Sequence, residues 1–264
     1  MIYILFTVLL FAFLISLGIK WNIRLKIVIP WAFFMAFFGC LSLYFLDGIL
    51  PDLSVISQLI IGFGETGIVT CIVILMLFYR DPERIPPAKE NIILSPADGR
   101  VLYIKEINNG DFPFAVKGRK NISLKEFIQE DFITEQGIQI GIEMTYLHVH
   151  INRTPIKGKI ISIKRIPGHF YSLKKISNLL ENERVFTIIE GGDIKIGIVQ
   201  IATRLVRRIF NFIKEEDSVE IGQRMGVIRF GSQVDILIPN KDNLNVLVKP
   251  HDEVKAGISI IATY

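Results

Sequence analysis

The sequence predicts N-terminal transmembrane helices followed by a β-rich α+β domain with a carrier-like β-sandwich element. Apolar residues crowd into the first 79 positions, the segment Arg80–Pro87 interrupts them with three prolines, and short β-rich runs then recur between turn signals to the end of the chain. Half of the 264 residues are hydrophobic and the mean hydropathy is +0.43, too apolar for a soluble domain of this size. The expected organisation is a membrane anchor over residues 1–79, a linker over 80–87 and one domain with its own core over 88–264.

Residues 1–19 and 27–46 carry no charge, and residues 53–79 carry only Glu65. A bilayer core needs about 20 predominantly apolar residues per helix, so each run predicts one span. A cleaved signal peptide is the alternative for the first run, with Ser16-Leu17-Gly18 as its small-residue site, but no basic residue precedes it as a signal requires. Lys20, Arg24 and Lys26 lie between the first two spans, whereas Asp47 and Asp52 lie between the second and third. Basic loops stay cytoplasmic, which predicts a cell-membrane protein with residues 80–264 on the cytoplasmic side.

The first 79 residues hold three basic and three acidic side chains, so the net charge of +4 belongs to residues 80–264. From Met144 to Leu180 there is no acidic residue, but there are seven basic ones: Arg153, Lys157, Lys159, Lys164, Arg165, Lys174 and Lys175. On a tethered domain such a segment suits an anionic lipid surface, where each basic side chain is worth ~1 kcal/mol. A solvated basic face is the alternative. Cys40 and Cys71 both fall within apolar spans and suggest neither a disulfide framework nor a metal cluster. No nucleic-acid partner is expected.

Strands are expected at Val101–Ile107, Ile138–Met144, Tyr146–Ile151, Lys159–Arg165, Ile194–Ile201, Met225–Phe230, Val234–Ile238, Asn245–Val248 and Ile258–Ala262. Helices are expected from the capping-box pattern Ser123-x-x-Glu126 and around the basic stretch Ala202–Phe210. The closing stretch from Val246 to Ile261 looks like the last hairpins of the β-sandwich shared by biotinyl and lipoyl carriers. A carrier displays a lysine on a tight turn, and none is evident here, so the analogy concerns fold and not chemistry.

Four segments carry the chemistry: Phe78-Tyr79-Arg80-Asp81-Pro82-Glu83-Arg84, Ser95-Pro96-Ala97-Asp98-Gly99-Arg100-Val101, His148-Val149-His150-Ile151-Asn152-Arg153, and Arg229-Phe230-Gly231-Ser232-Gln233-Val234-Asp235. If Tyr146–Ile151 is a strand, His148 and His150 point to one face with Tyr146 and Asn152. Two imidazoles so spaced, with Asp98 as third ligand, could bind a metal, but no second ligand cluster is seen and no metal is expected. Asp98-Gly99 alone reads as a turn.

Together these segments resemble the short, archaeal-type form of phosphatidylserine decarboxylase, a self-processing pyruvoyl enzyme. The resemblance covers most of residues 78–264 and includes Pro167-Gly168, Glu181-Asn182-Glu183-Arg184, Val199-Gln200-Ile201-Ala202, Arg207-Arg208 and Gly222-Gln223-Arg224, in the family's order. It implies that the Gly231-Ser232 bond breaks and that Ser232 becomes a pyruvoyl group. The two fragments would stay associated, and a homo-oligomer is compatible with the pattern. His150 matches the histidine of the family's Leu-Asp-Val-His pattern, and with Asp98 it is the candidate base for activating a serine hydroxyl.

The resemblance further implies decarboxylation of phosphatidylserine to phosphatidylethanolamine through a Schiff base, with the pyruvoyl group as electron sink. His148 and Arg153 are candidates to contact the lipid headgroup, a guanidinium being suited to bidentate oxyanion contact. Four features depart from the family: Tyr146 replaces a proline, His148 replaces an aspartate, residues 108–137 look longer and more irregular than the family's equivalent, and the chain has three spans where two are usual. A non-catalytic homologue that binds a lipid or a partner at the membrane is the alternative reading. A pyruvoyl decarboxylase for a soluble amino acid fits the spans poorly.

Overall fold

A computed structural model describes residues 2–20, 23–110, 124–132, 136–169, 171, 181–202, 209–228 and 232–264. The chain divides into two compact units, residues 1–79 with Thr145–Leu147, and residues 80–144 with 148–264. In the first unit, α1 (Ile2–Lys20), α2 (Leu25–Ile49) and α3 (Val55–Tyr79) are each long and apolar enough to cross a membrane, as expected. Phe6, Leu10 and Leu14 of α1 pack on Ala32, Met35 and Leu43 of α2, while Phe33, Phe37, Ile60 and Met76 face outward. Outward apolar side chains on a bundle suit lipid and not water. The polar groups near one end satisfy each other, with Tyr3 and Gln58 both donating to Asp47 at 2.7 and 2.9 Å.

The second unit is built largely of short strands. Its first half holds β1 (Ile92–Leu94), β2 (Gly99–Asn108), α4 (Leu124–Ile128), β3 (Gln136–Met144), β4 (Ile151–Arg153), β5 (Gly158–Ile166) and β6 (Arg184–Gly191). The second half holds β7 (Ile194–Ala202), β8 (Ile209–Asn211), β9 (Ser218–Val219), β10 (Arg224–Ile228), β11 (Ser232–Pro239), β12 (Asn245–Val246), β13 (Glu253–Val254) and β14 (Ile260–Thr263). Among the described residues the strands form an eight-stranded sheet in the order β13-β2-β3-β11-β7-β6-β5-β9 and two three-stranded sheets, β4-β10-β8 and β1-β14-β12.

Side chains alternate across a strand, and here both faces of the large sheet are covered. Val234, Ile236 and Ile238 of β11 join Ile140 and Ile142 of β3 and Ile196 and Ile198 of β7 in the main core. Leu237, with Phe186, Val199 and Ile201, packs instead against Leu124, Phe127 and Ile128 of α4. Arg184 fastens that helix, its Nε donating to the Phe127 carbonyl at 2.7 Å while the guanidinium lies over the Phe127 ring.

The three middle strands of the large sheet are continuous in sequence with the three strands of one small sheet. β3 leads into β4 through residues 145–150, β7 into β8 through 203–208, and β10 into β11 through 229–231. The lateral order β3-β11-β7 reappears as β4-β10-β8. Three neighbouring strands therefore change sheets at one corner. This explains a departure from expectation: Tyr146–Ile151 alternates like a strand, yet the chain is turning out of the sheet there, and only Ile151–Arg153 pairs, with β10.

Other expectations meet the structure unevenly. The helix expected around Ala202–Phe210 has its middle outside the described residues, and its ends are the strands β7 and β8. Ser123 of the expected capping box also lies outside them, next to the observed α4. Residues 80–87, expected to be a linker, are irregular but strapped to the second unit. Arg153 and Arg224 both bond Asp81, at 3.2 and 2.5 Å, Arg224 also bonds Glu83 at 2.5 Å, and Arg84 donates to the Ala256 carbonyl at 2.7 Å. The described part of the basic run is not a bare cationic face. Lys157 pairs with Glu220, Lys159 with Glu216 and Arg165 with Glu183, acids that come from outside the run.

Candidate active site

The corner brings together most of the residues singled out in the sequence. β3 ends at Met144, β7 ends at Ala202 and β11 begins at Ser232, and these three stand opposite one another as the last row of the sheet. Ser232 is described by its backbone, which is paired on both sides. Gly231 lies outside the described residues.

His150 immediately precedes β4 and is fully buried. Its Nδ1 stands 2.8 Å from the His148 carbonyl oxygen, so that nitrogen carries the proton and donates, leaving Nε2 with the basic lone pair. Burial is the main influence on its charge and lowers its pKa to about 4, with the proximity of His148 and Arg80 acting in the same sense. The His148 carbonyl and the charge of Asp98 oppose that shift without overcoming it. At neutral pH the imidazole is therefore neutral and able to take a proton.

Asp98 reaches the corner through the loop between β1 and β2. The backbone N–H of Arg153 donates to the Pro96 carbonyl at 2.9 Å, which seats this loop against β4. The Asp98 carboxylate is nearly buried and takes a bidentate bond from Arg84, at 2.5 and 2.8 Å, and the Ala256 N–H at 2.8 Å. Three bonds fix the position of this carboxylate, whose charge acts on His150.

His148 is half-buried, its Nε2 3.4 Å from a Glu253 carboxylate oxygen. Arg153, expected to be free for an oxyanion, is 4% exposed and already committed: it bonds Asp81, the Pro82 carbonyl and the Gly222 carbonyl at 3.0 to 3.2 Å. Its guanidinium ties the strap to β4. No group of three or more potential metal-ligating side chains occurs among the described residues.

One buried acid near the corner escaped the sequence reading. Asp235, in β11, accepts from Tyr103 Oη at 2.9 Å, Gln139 Nε2 at 2.6 Å and Gln233 Nε2 at 2.7 Å. Gln233 also donates to Tyr103 Oη, at 2.6 Å. The Tyr103 ring crosses Gly141 of β3, where a Cβ would come within 2.4 Å of it. The cluster joins β2, β3 and β11 on the face opposite the main core. Its one sequence signal is an acid set among apolar residues in Val234-Asp235-Ile236, which looks the same for a solvent-facing position.

Burial raises the Asp235 carboxyl to about 6, against the lowering effect of its three donors. Between about pH 4 and 6 the native carboxyl keeps a proton that the unfolded chain has lost, so this group's contribution to stability falls as pH rises through that window. Melting curves in detergent across pH 4–7 should show this slope in the wild type and its loss in Asp235→Asn. Parallel curves for the two proteins would mean that the carboxyl is not raised.

Comparison with known proteins identifies the family. A protein-family model described as phosphatidylserine decarboxylase matches residues 73–262. A protein of Methanocaldococcus jannaschii, provisionally named archaetidylserine decarboxylase proenzyme, is 41% identical over 202 residues, covering 76% of this chain and 94% of its own. The protein of the same provisional name from Methanothermobacter thermautotrophicus is 37% identical over 212 residues, 78% of this chain and 88% of its own. The phosphatidylserine decarboxylase proenzyme of Desulfotalea psychrophila is 34% identical over 211 residues, 77% of this chain and 87% of its own. With the family's model spanning most of its length and relatives 34–41% identical over about three quarters of it, the chain belongs to the phosphatidylserine decarboxylase family.

Proposed function

We propose that the chain matures by breaking its own Gly231-Ser232 bond, and that the resulting pyruvoyl group at position 232 serves the family's reaction, decarboxylation of phosphatidylserine to phosphatidylethanolamine. The observation that carries the reading is a buried, neutral histidine at the corner where β11 begins. The Ser232 hydroxyl adds to the Gly231 carbonyl carbon and the peptide C–N bond breaks, leaving an ester. Loss of the Ser232 α-proton expels the Gly231 carboxylate, and water replaces the nitrogen to release ammonia. His150 takes the hydroxyl proton, and Asp98, fixed by Arg84, favours the imidazolium that results.

The corner suits the group that would form there. Met144, Ala202 and His150 are buried there, and burial strengthens each polar contact around the group. Once formed, the pyruvoyl carbonyl takes up a primary amine and accepts the electron pair left by carbon dioxide. His148 is the half-buried group available to the headgroup, whereas Arg153 supports the site through Asp81 and the strap. The relatives' names share serine and differ in the lipid that bears it, which favours recognition at the headgroup. The three apolar helices suit a substrate that resides in a bilayer. The basic loop of Lys20, Arg24 and Lys26 favours a cytoplasmic second unit. The fragments stay together because β11 is paired on both edges and β13 and β14 are paired with β2 and β1.

Mass spectrometry of the purified protein should find a fragment running from residue 232 to Tyr264 with a blocked first residue, and Ser232→Ala should remain one chain. Carbon dioxide should be released from phosphatidylserine in detergent, and hydride reduction during turnover should leave the lipid amine on residue 232. A full-length, active wild type would sink the proposal.

Cleavage should depend on His150 more than on His148. Because His150 stays unprotonated down to about pH 4, the rate of self-cleavage should fall only as pH approaches 4, and not near the 6.5 of an ordinary histidine. His150→Ala should accumulate the uncleaved chain. An equal loss in His148→Ala, or an acid limb near 6.5, would assign the base elsewhere.

For orientation, a C-terminal reporter active only outside the cytoplasm should stay silent. Signal from it would reverse the assignment.

A further inference from the structure

A buried relay of side chains crosses the corner and serves no step described above. Gln200 lies on β7 opposite Val234, Asn152 lies on β4 opposite Gly226, and Met144 ends β3 opposite Ser232. Gln200 Nε2 donates to Asn152 Oδ1 at 2.7 Å, and Asn152 Nδ2 reaches Met144 Sδ at 3.8 Å. Both amide side chains are fully buried. Since β11 runs between β7 and β3, a relay from Gln200 to Met144 must pass over β11 between the row of Val234 and the row of Ser232. The amide pair thus lies at the end of the sheet where β11 begins.

Gln200 Oε1 has no hydrogen-bond partner among the described residues. A thioether sulfur can accept but cannot donate, so the Asn152 amide keeps its NH2 toward Met144 and its oxygen toward Gln200. That orientation sets Gln200 with Nε2 inward on Asn152 and Oε1 as the spare acceptor. Room for the pair comes from Gly226, where a Cβ would come within 2.6 Å of the Phe210 carbonyl and 3.3 Å of Gln200 Nε2. An orphaned buried acceptor is costly, which points to a donor that arrives from outside the folded chain.

We propose that Gln200 binds the amino group of the serine headgroup, its Oε1 accepting an N–H as the amine approaches position 232. The inference rests on the reading of residue 232 as a pyruvoyl carbonyl. An amine adds to a carbonyl only as the free base. A carboxylate acceptor would hold the ammonium form, whereas an uncharged amide oxygen orients the N–H without retaining its proton. Asn152 keeps the amide aimed and is a positioning residue.

The test uses the full-length protein in detergent micelles containing phosphatidylserine or phosphatidylethanolamine, with cyanoborohydride to trap the amine on residue 232. Gln200→Met and Gln200→Glu should both cleave at position 232. Gln200→Met should then trap either lipid about tenfold more slowly than wild type, the loss expected for one buried hydrogen bond. Gln200→Glu should be slow at pH 7 and recover as pH rises, a profile that a purely structural role would not produce. Cleaved variants that trap at the wild-type rate at every pH would overturn the assignment. Failure of both variants to cleave would overturn it too, by giving Gln200 a part in folding or maturation. An uncleaved wild type would instead bring down the pyruvoyl reading on which the assignment rests.

Discussion

β11 is hydrogen-bonded along most of its length to β3 on one side and β7 on the other, from Ser232 opposite Met144 and Ala202 up to Leu237 opposite Gln139 and Gly197. The arrangement at the corner depends on that double pairing. It fixes the first residue of β11 in the last row of the sheet, and it leaves the preceding residues 229–231 as the only path into β10. The neighbouring strands set what else stands at that end of the sheet. His150 arrives on the continuation of β3, and Gln200 lies two residues before the end of β7.

Charge is handled differently on the two sides of the corner. Toward the strap, ionised groups meet in pairs: Arg84 with Asp98, Arg153 and Arg224 with Asp81. Removing one partner of a buried pair leaves the other charge uncompensated, at a cost of about 3–5 kcal/mol, so such contacts hold geometry more surely than they add stability. Within the corner the groups are uncharged: an imidazole, two amides and a thioether. The strap thus fixes the Asp98 carboxylate at the edge of a neutral site.

The membrane spans and most strands were legible because their physical signals are local. Three long apolar runs with one charge among them mark the spans, and alternation predicted β2, β3, β5, β7 and β11 to within a few residues. β6 was missed because Arg184–Gly191 carries the near-continuous apolar run of a strand covered on both faces, with no alternation to mark it. Tyr146–Ile151 was misread because alternation persists where the backbone leaves the sheet. At the site, the motif residues could be named, but not the bonds they make. Nothing in the order of residues says that Arg153 is spent on Asp81, that acids from elsewhere meet Lys157 and Arg165, or that Asp235 and Gln200 are buried. Those facts come from contacts between segments far apart in the chain.

The path of the chain after residue 232 has a consequence for how long the protein lasts. Residues 232–264 supply a middle strand of the large sheet, its edge strand β13, and two of the three strands in the sheet with β1. While the chain is intact, these strands are tethered neighbours that find their places as part of one polymer. If the Gly231-Ser232 bond is cut as proposed, refolding becomes an encounter between two molecules, each missing strands that the other holds. The cut form then persists through a slow rate of opening and not through a recoverable equilibrium. For such a protein a single unfolding event is final, and its lifetime in the membrane is a matter of kinetics.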